Sequence, residues 1–194
     1  MNRTFTRYGL WLAVRTLVWT LCFLFLFSGC SCRTLQDLSL TPFERTLIPF
    51  QGPTDLLYLD QDQMEVPART TAKTADVIQY SETESCDPAD AERQFINLRI
   101  PDRGLDLEIT VQATEPTFQI AFDDSVYWPS CPFTNNYPEL ISDVSVDGFD
   151  FAQVFRFEYC IFEDSSITFI LYSAEEGIEF IKFDDGSYLY LLTE

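Results

Sequence analysis

The chain has 194 residues, 31 acidic side chains against 12 Lys and Arg, no histidine, and a formal charge of −19. Without histidine there is no Ser-His-Asp triad, no Cys-His nucleophile pair and no His-ligated metal site. Acidity on this scale argues against a surface for nucleic acid or anionic headgroups, while an aromatic content of 15% supplies the apolar area of a packed domain rather than a disordered acidic chain.

The N-terminus is patterned for export. Arg3, Arg7 and Arg15 form a positive leader, and no acidic residue occurs before Asp37. Positive charge stays on the cytoplasmic side and orients such a segment. Leu17 to Phe27 is an apolar run, too short for an ordinary membrane span of about 20 residues but suited to a signal-peptide core. The small residues Ser28 and Gly29 follow, and then Cys30.

Leu26-Phe27-Ser28-Gly29-Cys30 resembles the lipobox of bacterial lipoproteins. Phe27 departs from the pattern, standing where that family most often has Leu. The resemblance implies cleavage before Cys30, a diacylglycerol on its thiol and acylation of the new amino group. Several acyl chains, at about 0.8 kcal/mol per buried CH₂, hold a protein on a bilayer stably. The expected organisation is a signal peptide at 1–29, a lipidated tether at 30–39 and a single β-rich domain at 40–194, placed in the cell envelope and anchored to the outer membrane. Three of the twelve basic residues precede Cys30 and every acidic one follows it, so the exported part carries −22. Membrane association is therefore expected through the acyl anchor alone, with no nucleic-acid partner.

After the tether, Leu40-Thr41-Pro42-Phe43-Glu44-Arg45-Thr46-Leu47-Ile48 predicts a short N-terminal helix. Thr41 can cap it, Pro42 suits the first position, Glu44 completes a capping box, and Pro49 ends it. Segment 62–90 is less patterned: Val77-Ile78-Gln79-Tyr80 is strand-like and Ser81 to Asp90 reads as a loop. Beyond it the period becomes two. Ile96, Leu98 and Ile100 give one strand, and Pro101-Asp102-Arg103-Gly104 a turn. Leu105, Leu107, Ile109 and Val111, alternating with Asp106, Glu108, Thr110 and Gln112, give the clearest half-buried strand. Phe118, Ile120 and Phe122 make a third. Val144 to Val146 and Phe149 to Ile161 flank Asp147-Gly148, a strong hairpin signal. Ile167 to Tyr172, Ile178 to Phe183 and Tyr188 to Leu192 follow, separated by Glu175-Glu176-Gly177 and Asp184-Asp185-Gly186. The predicted fold is all-β, an antiparallel meander closed as a barrel or folded as a β-sandwich. The last three strands are apolar on both faces, with Ile167, Phe169 and Leu171 read on one and Ile170 and Tyr172 on the other. They are either central in two layers or part of a docking surface.

The two ends of the domain are similar to small lipoproteins of Bacteroidota-type bacteria. These run from a lipobox through a short Leu-Ser/Thr-x-x-Glu helix into a β-rich domain that closes with turn-linked strands. Here Leu40-Thr41-Pro42-Phe43-Glu44, Leu171-Tyr172-Ser173-Ala174-Glu175-Glu176-Gly177-Ile178 and Phe183-Asp184-Asp185-Gly186-Ser187-Tyr188-Leu189 carry the likeness. It implies an architecture and no activity.

Candidate chemistry is sparse. Cys22 leaves with the signal and Cys30 is the lipidation site. Among the remaining cysteines, Cys32 lies in the tether, while Cys86, Cys131 and Cys160 are disulfide candidates in an oxidising compartment. A Cys86–Cys131 bridge joins two adaptable loops and is preferred to Cys131–Cys160, although loop-closure entropy does not separate them. Asp60-Gln61-Asp62-Gln63-Met64-Glu65 spaces carboxylates as a calcium loop does, but Glu65 stands where an EF-hand needs glycine. Asp123-Asp124 and Asp184-Asp185 offer no more, and no metal or cofactor is expected. The reading is a non-catalytic binding or structural module, its partner an unknown envelope protein or glycan. The alternatives are a lipocalin-like carrier of a small apolar ligand and a carboxylate-dependent hydrolase, which needs two acids about 5–10 Å apart.

Overall fold

The computed structural model describes residues 37–81, 88–115, 117–123, 125–129, 137–159 and 166–193. The segments read as strands do form strands, and twelve are present among the described residues: β1 (Asp55–Asp60), β2 (Glu65–Thr70), β3 (Thr74–Tyr80), β4 (Ala89–Ile100), β5 (Leu105–Gln112), β6 (Phe118–Phe122), β7 (Ser125–Trp128), β8 (Ser142–Val146), β9 (Phe149–Tyr159), β10 (Ile167–Ser173), β11 (Gly177–Phe183) and β12 (Tyr188–Leu191). Ten of them close a ring in the order β10-β11-β12-β1-β2-β4-β5-β6-β7-β9, and β9 returns to pair with β10. All these pairings are antiparallel. The chain is therefore a closed barrel and not a sandwich, and closure removes the sheet edges from the wall itself.

Two strands of the wall are too long for it, and each overhang is paired by a strand outside the ring. The C-terminal part of β4 pairs with β5 and, through Leu98 and Arg99, with β2; its Ala89–Phe95 part pairs with β3. Likewise Phe155–Glu158 of β9 pairs with β10, while Phe149–Val154 pairs with β8. The β8–β9 turn places Asp147 and Gly148 at φ 52° and 88°. Two successive positive φ values match the twist of a two-residue hairpin.

Alternation along β5 sends apolar side chains inward and charge outward. On β5, Leu105, Leu107, Ile109 and Val111 are buried in the main core, and Asp106 is exposed beside Arg99. A barrel that spans a membrane is patterned the other way, apolar outside and polar within. The lumen is filled by rings. Phe118 meets Phe157, Tyr172, Phe155 and Tyr137 edge to face, with centroids 4.8, 5.2, 5.4 and 6.3 Å away.

The segment before β1 closes one end of the lumen. The predicted N-terminal helix is not formed; Glu44–Thr46 makes a single 3₁₀ turn. The capping-box hydrogen bonds are present, from the Glu44 N–H to Thr41 Oγ1 (3.2 Å) and from the Thr41 N–H to Glu44 Oε2 (2.6 Å). They do not propagate, because Leu47 and Ile48 turn into the barrel and are buried there. The Tyr172 hydroxyl donates to the Leu47 carbonyl at 2.5 Å, taking an acceptor that a continuing helix would use. Phe50 then lies against Gly177, where a Cβ would sit 2.7 Å from the ring. Gly177 also has φ +81°, so this turn needs glycine for both space and backbone conformation.

The sequence reading missed β1, β2 and β7. Leu56-Leu57-Tyr58-Leu59 has no alternation, Pro67 interrupts β2, and β7 is only four residues long.

Candidate binding surface

The two-faced character of the last strands has a specific structural origin. Register shifts interrupt β10–β11 between Ile167 and Phe169 and between Leu171 and Tyr172. Such bulges change which face a side chain takes. Ile167 consequently joins Ile170 and Tyr172 in the lumen, while Phe169 and Leu171 point outward with Phe180. That corrects the grouping of Ile167 with Phe169 and Leu171. A further break lies in β9, where Gln153 has φ 57° and donates its backbone N–H to Asp143 Oδ1 at 3.0 Å. Phe151 and Val154 therefore face the outer cluster, and Phe155 and Phe157 face the lumen.

The β8–β9 overhang thus lies on the outer wall. Val144, Val146, Phe149, Phe151 and Val154 pack on Phe169, Leu171, Phe180, Tyr188 and Tyr190, making a second core outside the barrel. The outer faces of β10–β12 are central in two layers here, and most of their apolar area is covered by the chain itself. A ladder of π systems crosses the four strands: Arg156 sits 4.2 Å over Phe169, Phe169 stacks on Phe180 at 6.0 Å, and Phe180 stacks on Tyr188 at 5.4 Å. The far rung is Lys182, 5.5 Å from the Tyr188 centroid. Lys182 Nζ also donates to Asp147 Oδ2 (2.6 Å) and the Gly186 carbonyl (2.8 Å), tying the hairpin tip to the wall. Phe149 stacks on Tyr190 at 4.4 Å. Phe149, Tyr188 and Tyr190 remain half-buried, so their rims form an aromatic ledge bordered by Lys182 and Asp147.

Of the candidate cation ligands, Asp60 and Asp185 are engaged within or beside their own turns. Asp60 Oδ1 accepts the backbone N–H of Asp62 (2.9 Å) and of Met64 (3.0 Å), and Oδ2 pairs with Arg103 at 2.8 Å. The calcium-like spacing is thereby a self-capped turn. Asp185 Oδ1 accepts the Ser187 N–H at 2.8 Å, and Asp123 is a turn residue at φ 53°, while Asp124 lies outside the described residues. Among the described residues no group of three or more acidic or sulfur side chains is arranged to hold a metal ion. Glu179, the extra residue of the second β10–β11 bulge, is raised by burial first and then by Glu176 and Glu175, against a hydrogen bond from Ser173 that lowers it. The phenols of Tyr58 and Tyr172 are pushed well above their ordinary value by complete burial. Glu92 is lowered, chiefly by its hydrogen bonds with Arg45, and also accepts the Leu40 N–H at 3.2 Å, which fastens the plug to β4.

Cys30, Cys86, Cys131 and Cys160 all lie outside the described residues. Among the described residues no helix is long and apolar enough to cross a membrane. The aromatic ledge was missed from sequence; its signal was the run Phe149-Asp150-Phe151 beside Tyr188-Leu189-Tyr190, aromatics at alternate positions in two strands. No family model, no curated protein and no solved structure matches this chain.

Proposed function

We propose that the protein is a lipid-anchored module of the cell envelope that works by binding through its outer surface and carries out no catalysis. The observation that supports this most is the filled lumen. Phe118, Phe155, Phe157 and Tyr172 occupy the space in which a carrier would hold its ligand, and all four are buried. Interaction is then left to the outside, where the half-buried rings of Phe149, Tyr188 and Tyr190 offer π faces and hydroxyls to an envelope protein or glycan. The anchor reading rests on Leu26-Phe27-Ser28-Gly29-Cys30. It has a geometric consequence: Leu38 bridges to Ala91 at the start of β4, and the seven steps from Cys30 to Asp37 span at most roughly 24 Å. The bilayer lies within that reach of the β3–β4 overhang.

Three measurements test the reading. Cys30→Ser is expected to abolish palmitate labelling and to release the chain from the membrane fraction or leave it uncleaved; labelling that persists overturns the anchor. Capture from envelope extracts, followed by native mass analysis, is expected to yield a macromolecular partner and no retained small molecule. A stoichiometric apolar ligand would favour the carrier. Turnover in a panel of glycosidase, esterase and peptidase substrates, lost on substitution of one carboxylate, would favour the hydrolase.

A further inference from the structure

The two overhanging hairpins each bring a strand that has one partner among the described residues: β8, paired with β9, and β3, paired with β4. An unpaired strand side is a template for another chain, and proteins blunt it with bulges, charges, proline or short length. The β8 strand is blunted. It has five residues, a register shift between Ser142 and Val144, and Asp143 bound to its own hairpin. The β3 strand is not. All seven residues, Thr74-Ala75-Asp76-Val77-Ile78-Gln79-Tyr80, run in unbroken register with β4 and include no Pro, Gly or Lys. Its one charge, Asp76, is neutralised by a two-point contact with Arg93, at 2.9 and 2.6 Å. The nearest lysine, Lys73, is turned back to the Ile48 carbonyl at 3.4 Å. On a chain of charge −19, this is a neutral strand of high β-propensity.

The backbone polarity of the free side can be read off. Glu92 directs its N–H to the Leu38 carbonyl and its carbonyl to the Ala113 N–H, both away from β3. Backbone groups alternate sides along a strand, so Ala91 and Arg93 face β3 and their partners Ile78 and Asp76 face β4. Ala75, Val77 and Gln79 therefore present their N–H and C=O groups to the free side.

We propose that β3 is a homodimer edge, on which a second copy of this chain pairs antiparallel about a two-fold axis at Val77. That register sets Val77 opposite Val77, Ala75 opposite Gln79, and Asp76 opposite Ile78. All three outward residues then become hydrogen-bonded pairs, with two bonds in each. No like charges stand directly opposite, and both copies form one continuous sheet through an isologous contact. Self-pairing is favoured over a foreign strand because the edge is neutral and self-complementary in this one register. The proposal does not depend on the lipid anchor.

The test is the mass of the full-length chain in mild detergent, by light scattering that separates protein from detergent, up to about 0.1 mM. Wild type is expected to be a dimer, more so at high salt, which screens the acidic surfaces. Val77→Pro removes only a donor that points to the free side, and an edge strand tolerates this. Val77→Lys, at a side chain 63% exposed, places like charges face to face at the axis. Each should retain the wild-type circular dichroism and melting transition yet raise the dimer Kd at least about tenfold. A monomeric wild type, or a dimer that survives in both variants, overturns the proposal.

Discussion

Replacing Phe118 by Ala tests whether the lumen is a packed core. Phe118 lies on β6, 1% exposed, and its ring meets residues of β9 and β10 from across the lumen together with Tyr137. Truncating a buried Phe costs about 3–5 kcal/mol in transfer and cavity terms. Each edge-to-face pair is worth about 0.5–1.5 kcal/mol beyond area, but the four share one ring and do not add. A loss of about 4 kcal/mol is expected, which lowers Tm by roughly 8–16 °C in a domain of this size. Urea unfolding is the assay, with the midpoint falling and the slope unchanged. Phe118→Leu keeps most of the volume and should lose less than about 1.5 kcal/mol. Met64→Ala, at a side chain 64% exposed, should stay within about 0.5 kcal/mol of wild type. A loss below about 2 kcal/mol for Phe118→Ala would refute the packed lumen and reopen the carrier reading.

Tyr172→Phe removes the donor to the Leu47 carbonyl; about 1–3 kcal/mol should be lost, and hydrogen exchange in residues 44–50 should quicken as the plug loosens. Glu179 is raised above its ordinary 4.5 by burial and by Glu176 and Glu175, so the fold favours its protonated form and loses stability as pH rises from 4.5 through the raised value. Glu179→Gln should therefore be more stable than wild type at pH 7 and equal to it below about pH 4, as followed by Tm against pH; a variant equally stable at pH 7 contradicts the burial of this carboxyl. Non-reducing peptide mapping should recover a linkage between Cys86 and Cys131, and alkylation before reduction should label neither residue.

Much of the architecture was legible because it rests on local rules. The alternation from Leu105 to Val111 became β5, Asp147-Gly148 became the β8–β9 turn, and Pro101 to Gly104 became a 3₁₀ turn ended by Gly104 at φ 65°. What failed depends on contacts far along the chain. Helical signals at Thr41 to Ile48 were outweighed when Leu47 and Ile48 were drawn into the lumen, since a segment this short has no helix stability of its own. Barrel rather than sandwich was decided by the β9–β10 pairing, which no local pattern announces. The cysteine sites fall outside the described residues, and the β3 edge has no sequence signature except the lack of protection.

The course of β9 shows why patterning alone cannot allocate faces. Phe149, Phe151, Phe155 and Phe157 share one parity in the sequence and would line a single face of an unbroken strand. One glutamine at φ 57° divides them, sending two rings to the outer core and two to the lumen. Gln has no intrinsic preference for that backbone region, so the conformation must be held by its surroundings. The Asp143 carboxylate on the Gln153 N–H is one such restraint, and burial of aromatics on both sides of the break is the other. A straight β9 would leave either the lumen or the outer wall of β10–β12 short of two rings. The bulge lets a single strand seal the barrel with one half and cover its wall with the other. The outer half of β9 covers the outward apolar face of β10 and β11, and it leaves the half-buried ledge of Phe149, Tyr188 and Tyr190 at the margin of the outer core.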